Sequence, residues 1–171
     1  IIAPDVGGGF GMKGQVYPEE ILAVWAARRL RRPVKWTAER SEGLASDMHG
    51  RDQLTTAELA LSMDGRVLAL RARTAINVGA YLGYSGGVAP MNAGTSYTSA
   101  YDIPVIHAAV DAVFTTTAPV GPYRGSGKPE ASYVIERLFD AASRELRIDP
   151  VALRRRNLDR KSTRLNSSHV K

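Results

Sequence analysis

Two glycine-punctuated segments hold the residue types suited to chemistry. Val6-Gly7-Gly8-Gly9-Phe10-Gly11-Met12-Lys13 lies near the start, and Pro122-Tyr123-Arg124-Gly125-Ser126-Gly127 lies late in the chain. Without a Cβ, such backbone tolerates positive φ and brings bare amides close to a ligand, an arrangement that favours oxyanions. Arg124 adds a cation that cannot lose its proton. It suits a place where negative charge develops on a substrate, or else it ties the turn to a nearby carboxylate or carbonyl. Phe10 suits either a pocket wall or an aromatic plug beneath its own turn. More than a hundred residues separate the two segments, so a shared site has to be assembled by the fold. We expect one.

The elements that must position these turns follow from periodicity. Residues 1–6 read as a short strand feeding the first turn. Pro18, with Glu19 and Glu20 at the positive end, opens a helix whose apolar residues are Ile21, Leu22, Trp25, Ala26 and Leu30. The arginine run and Pro33 end it. Residues 34–37 read as a second short strand and residues 39–46 as an irregular or briefly helical link. Alternation through Leu59, Leu61 and Met63 meets Asp64-Gly65 and resumes at Val67, Leu68, Leu70, Ala72 and Thr74, which specifies a hairpin over 54–78. Residues 79–99 read as a long loop, and residues 105–115 as a strand running into the second turn. A helix from Pro129-Glu130 carries the stripe Val134, Ile135, Leu138, Phe139, Ala142 and Leu146. Asp149-Pro150 caps a last helix through about Asn157. Hairpins mixed with separate helices give an α+β fold.

Composition sets limits. The chain has 171 residues, 44% apolar and 23% charged, as in an ordinary globular domain. Half of the net charge of +6 sits in residues 159–171, where Arg160, Lys161, Arg164 and Lys171 face one acid. Arg28, Arg29, Arg31 and Arg32, and likewise Arg154, Arg155 and Arg156, fall at expected helix C-termini, where cations oppose the negative end of the macrodipole. No recognition-helix or RNA-binding motif accompanies them, so nucleic acid is not expected as a partner. No apolar run approaches the ~20 residues of a membrane span. Without cysteine there is no disulfide, iron–sulfur or thiolate-zinc site in these residues, and His49, His107 and His169 lack ligand spacing. The opening residues lack an initiator methionine and a signal-peptide pattern and read as the interior of a longer polypeptide. The run from Asp159 to His169 resembles a sequencing adapter translated in frame, so residues 159–171 are expected to be a non-native tail without packed structure.

Nucleotide motifs fail on context. Lys13 is preceded by Met12 and followed by Gly14, which breaks a P-loop; Gly9, Gly11 and Gly14 fit G-x-G-x-x-G, but Gln15-Val16-Tyr17-Pro18 intervenes before the helix and the downstream strands look hairpin-like rather than βαβ.

A longer series is more specific. It runs from Gly7 to Gly14 with Val16-Tyr17-Pro18-Glu19, then Arg32-Pro33-Val34-Lys35-Trp36, His49-Gly50-Arg51-Asp52 and Asn77-Val78-Gly79-Ala80-Tyr81. Residues 118–131 continue it, and Asp149-Pro150 with Arg155-Arg156-Asn157-Leu158 closes it. In this order it resembles the molybdopterin-binding large subunit of the xanthine dehydrogenase and aldehyde oxidase family, in the carbon monoxide dehydrogenase large subunit-like branch, over essentially all of residues 1–158. The resemblance implies a partial molybdopterin-binding domain of a cytoplasmic molybdenum hydroxylase that takes its oxygen from water. It implies a molybdenum–molybdopterin cofactor in its cytosine dinucleotide form, an FAD-binding medium subunit and an iron–sulfur small subunit. Gly8, Gly9, Phe10 and Gly11 would lie against the cofactor with Gly125 and Ser126 of the second turn, and Arg124 would orient or polarise the small-molecule substrate.

Departures from the family pattern narrow the chemistry. True carbon monoxide dehydrogenases carry a copper-holding cysteine after this arginine, where Gly125 stands here. Purine-oxidising relatives carry a glutamate where Gly14 stands. An aldehyde or N-heteroaromatic substrate is therefore expected. The family's general-base glutamate has no counterpart before Lys171, so these residues alone are expected to be inactive. The reading from another class is a non-enzymatic module that uses the glycine turns to hold a phosphate or peptide.

Overall fold

The computed structural model describes residues 1–159. Helix α1 spans Pro18–Leu30 and α2 Arg40–Ser46. Strands β1 (Gln53–Leu61) and β2 (Val67–Gly79) are followed by α3 (Val88–Ser96), β3 (Ile106–Phe114), α4 (Lys128–Leu146) and α5 (Pro150–Asn157). The sheet has the order β1-β2-β3, with β1–β2 antiparallel and β2–β3 parallel. The α+β expectation holds.

The Asp64-Gly65 hairpin forms as read. Gly65 takes φ 83°, a left-handed conformation that costs glycine little, and its amide donates to the Ser62 carbonyl. A hydrogen bond from the Ser62 hydroxyl holds the Asp64 carboxyl below the usual carboxylate range.

Alternation along β2 buries Leu70, Ala72, Thr74, Ile76 and Val78 on one face and leaves Arg71 and Arg73 on the other. There they pair with Glu58 and Asp111. Helix α4 lies against the buried face through Ala131, Ile135, Phe139 and Ala142, joined by Tyr97, Tyr101 and Leu153. Thr74 is polar and fully buried, and it is satisfied by the Thr55 hydroxyl at 2.9 Å and by the Tyr97 hydroxyl, as buried polar groups require. Tyr101 stacks on Phe139 with ring centroids 4.1 Å apart. Arg154 on α5 reaches Glu136 and Asp140 on α4 at 2.7 and 2.8 Å and holds the Asp140 carboxyl low by hydrogen bonding.

Four local expectations change. Residues 1–6 form no strand: Ile1 and Ile2 are almost wholly exposed and no described segment pairs with them. Residues 34–37 are likewise unpaired; β-branched and aromatic residues favour a strand only where a neighbouring edge accepts their hydrogen bonds. The 79–99 loop contains α3, which carries the chain from β2 to the parallel strand β3. The downstream topology is thus a β-helix-β crossover after the hairpin, since parallel neighbours need such a connection. Finally, α1 forms over the expected residues but buries none of them, because no described element covers Ile21, Leu22, Trp25 or Leu30. Among the described residues no helix is long and apolar enough to cross a membrane. Residues 160–171 of the expected tail lie outside the described residues; Asp159, at its start, donates its amide to the Ala100 carbonyl at 3.0 Å.

Asn157 ties the hairpin turn to the end of α5. It is 2% exposed, accepts from the Val67 amide at 2.9 Å and donates to the Gly65 and Leu153 carbonyls. Replacing it with leucine (Asn157→Leu) unpairs these buried groups at ~1–3 kcal/mol each. The expected outcome is faster amide exchange at Val67 and the 62–66 turn of the full-length subunit, while pairing around Thr74 stays protected. Unchanged exchange at Val67 would refute the tie.

Candidate functional site

The first glycine turn is built on left-handed backbone at three of four successive residues. Gly8, Phe10 and Gly11 take φ 121°, 52° and 95°. The Lys13 amide donates to the Gly9 carbonyl and the Gly14 amide to the Gly11 carbonyl, at 3.2 and 3.1 Å. Tyr17, at the N-cap of α1, donates its hydroxyl to the Met12 carbonyl at 2.9 Å. Lys13 pairs with Asp47 at the end of α2. The Phe10 ring folds back over Gly8, where a Cβ would stand 2.8 Å from it. The amides of Gly9, Phe10 and Gly11 donate to no acceptor among the described residues.

The second turn leads into α4. The Ser126 amide donates to the Tyr123 carbonyl at 2.6 Å, and Gly125, Ser126 and Gly127 take φ 91°, 37° and 90°. Gly127 lies directly against α3: a Cβ there would fall 2.3 Å from the Ala89 carbonyl oxygen. Asn92 on α3 donates to the Ser126 carbonyl at 2.9 Å. The Ser126 hydroxyl and the Glu130 Oε2 are buried without a partner.

The two turns touch. A Cβ on Gly11 would stand 2.8 Å from the Pro122 carbonyl oxygen, and the Phe10 and Tyr123 rings lie 6.4 Å apart, tilted by 35°. A cleft of about 770 Å³ opens beside them, lined mostly by the 38–51 segment, with Met12 and Lys13 from the first turn and Tyr123 from the second but not by Gly8, Gly9, Phe10, Gly11, Arg124, Gly125 or Ser126. Gly8, Gly9, Phe10, Gly11, Arg124, Gly125 and Ser126 thus lie on two adjacent turns.

Arg124 does not tie its turn down. Its exposed guanidinium makes no hydrogen bond or ion pair with any described residue. That tie is made by Arg51, a residue to which sequence reasoning gave no role. Its Nη2 donates to the Arg124 carbonyl at 2.5 Å, its guanidinium lies 4.8 Å over the Tyr123 ring, and its Nε pairs with Glu130 at 3.4 Å. The partners are 72 to 79 residues away along the chain, and no local pattern announces them.

Crowding at Gly11 yields a test. Gly11→Ala places a methyl against the Pro122 carbonyl and forces φ 95° on a residue that disfavours it. Faster amide exchange is expected in residues 7–14 and 122–127 of the full-length subunit, with α4 unaffected. Equal exchange in both turns would contradict their contact.

Known proteins share this arrangement of sequence and fold. Residues 1–158 match the family described as molybdopterin cofactor-binding domain. Subunit gamma of the 6-hydroxypseudooxynicotine dehydrogenase complex from Paenarthrobacter nicotinovorans is 41% identical over 155 residues, covering 90% of this chain and 19% of that protein. The carbon monoxide dehydrogenase large chain of Afipia carboxidovorans is 39% identical over 160 residues, covering 92% of this chain and 20% of that protein. Quinoline 2-oxidoreductase from Pseudomonas putida 86 has a similar structure, with a TM-score of 0.83 at 38% identity, covering 91% of this chain and 20% of that one. The chain spans about one-fifth of the length of these relatives. With its glycine turns in contact and nearly its whole length matched, the chain belongs to the molybdopterin cofactor-binding domain family, in the carbon monoxide dehydrogenase-like branch of the xanthine dehydrogenase family's large subunits.

Proposed function

We propose that this chain is part of the large subunit of a molybdenum hydroxylase, and that its two touching turns form one wall of the molybdopterin site. The observation that carries this reading is the contact of Gly11 with Pro122 within a stretch matched to the cofactor-binding family. The residues present suit such a group. Gly9, Phe10 and Gly11 offer uncommitted amides, Ser126 keeps a buried hydroxyl without a partner, and oxygen-rich anions are held by donors of this kind.

When bound, the cofactor supplies two-electron oxidation of a carbon centre with water as the oxygen source. The chain's own residues do the positioning. Amides of the first turn aim fixed dipoles at anionic oxygen, and because they are already oriented they stabilise charge without reorganising. Phe10 and Tyr123 present aromatic surface that suits a flat substrate. Arg124, free of internal partners, reaches toward the substrate heteroatom where charge develops.

Two relatives bear the names of N-heteroaromatic or nicotine-derived substrates. Gly125 stands where a copper-holding cysteine is expected in carbon monoxide oxidation, and Gly14 where a purine-anchoring glutamate is expected. We therefore assign an N-heteroaromatic or aldehyde substrate, the cytosine dinucleotide form of the cofactor, and electron transfer through FAD and iron–sulfur partner subunits in the cytoplasm. The dehydrogenase and oxidoreductase names of the relatives leave a stand-alone phosphate or peptide module without support.

The test uses the full-length enzyme with its partner subunits. Molybdenum and pterin should copurify with it, and Arg124→Met should lower kcat roughly 100-fold, the scale of losing one charge-stabilising donor, with bound molybdenum unchanged. Absence of molybdenum from the purified complex, or full turnover by the variant, would overturn this reading.

A further inference from the structure

We propose that Arg51 is the positioning residue that fixes the Tyr123–Arg124 turn, holding the backbone of Arg124 so that its side chain is free to reach the substrate. This inference rests on the hydroxylase reading for its catalytic half only.

Three contacts made by one planar group carry the proposal. Nη2 holds the Arg124 carbonyl at 2.5 Å, Nε meets Glu130 on the first turn of α4 at 3.4 Å, and the guanidinium covers the Tyr123 ring at 4.8 Å. They grip the turn at its backbone, at its aromatic side chain and at the helix that follows it. A guanidinium suits this because its donors sit in a rigid fork and its face stacks on aromatic rings. Pairing with Glu130 also offsets the Arg51 charge, which leaves Arg124 as the uncommitted cation of the turn.

Arg51 is itself held from behind. It takes φ 57°, an uncommon conformation for a residue other than glycine. On one side, His49 donates its amide to the Pro119 carbonyl and accepts from the Gly121 amide, at 3.0 and 2.8 Å. On the other, Asp52 accepts the Asn77 amide on its carbonyl at 3.0 Å and the Asn77 side chain on its carboxylate at 2.7 Å. Gly50 lies close enough to Tyr123 that a Cβ would fall 2.7 Å from the tyrosine Cβ. The anchor therefore runs from the end of β2 through Asp52 and Arg51 to the Arg124 carbonyl.

The experiment compares Arg51→Met, Arg51→Lys, Arg124→Met and the Arg51/Arg124 double variant in the full-length holoenzyme. Molybdenum content and α4 amide exchange serve as fold controls. Arg51→Met is expected to speed amide exchange in residues 122–127 and to lower kcat by about 10- to 100-fold, the range that loss of orientation produces. The change in KM should be smaller. Arg51→Lys should recover only part, since one ammonium cannot span three contacts. In the Arg124→Met background, Arg51→Met should cost no further turnover, because groups acting through one another are non-additive.

Unchanged exchange in 122–127 overturns the anchor. Multiplying kcat losses in the double variant overturn the claim that Arg51 acts through Arg124. If Arg51→Met fails the fold controls, Arg51→Lys decides by the same two readouts. If Arg124→Met alone leaves turnover intact, the catalytic role of Arg124 falls and with it the catalytic half of this proposal; exchange in 122–127 still decides whether Arg51 holds the turn.

Discussion

The absence of a side chain at Gly11 lets two distant stretches of backbone meet. A Cβ there would lie 2.8 Å from the Pro122 carbonyl oxygen, closer than packed atoms allow. The shared wall proposed for the cofactor depends on that approach, because it brings the first turn against the run that carries Arg124. Such a contact is useful only if each turn is separately rigid. Tyr17 and the Lys13–Asp47 pair steady the first. For the second, Gly127 lies on the backbone of α3 and Arg51 clasps the carbonyl of Arg124. Each turn thus has supports of its own besides the contact between them.

Behind the second turn, β2 acts as the reference from which that turn is placed. Its buried face meets α4, and its polar interior member Thr74 is satisfied on both sides by Thr55 and Tyr97, so the sheet and the core agree on one register. Its far end holds residues 117–121 through Ala80 to Thr117 and Val120 to Val78. Asn77 joins this end to Asp52 and Thr117 at 2.7 and 2.8 Å. A displacement of β2 would therefore reach both the clasp at Arg51 and the strand-like run that delivers Pro122.

What was legible in the sequence was whatever local chemistry dictates. Asp64-Gly65 between alternating runs could hardly be anything but a turn, and the stripe from Val134 to Leu146 gave α4 with Ile135, Phe139 and Ala142 inward. The Asp149 cap of α5 is present as read, accepting from the Val151 and Ala152 amides. What was not legible depends on partners far along the chain. Ile1, Ile2 and Val6 favour a strand but meet no edge among the described residues. The small residues of α3 give little amphipathic signal, so a short helix read as a loop and the parallel partnership of β2 with β3 went unseen. Arg51 stands in the family-like series without a role that the sequence could give it, because its three partners lie on a turn and a helix far downstream. The resemblance to a known family supplied the cofactor, which spacing alone does not reveal.

The parallel pairing of β2 with β3 also governs when the site can exist during folding. The β1–β2 hairpin closes over a five-residue connection, whereas β3 must first travel around α3 before its hydrogen bonds form. Closing that longer excursion costs chain entropy before any contact repays it. Pro122 and Arg124 lie beyond β3, so during synthesis they follow the hairpin, α3 and β3. The residues of the hairpin are therefore synthesised before those that meet the first glycine turn, and the contact between the two turns is among the longest-range closures the topology requires.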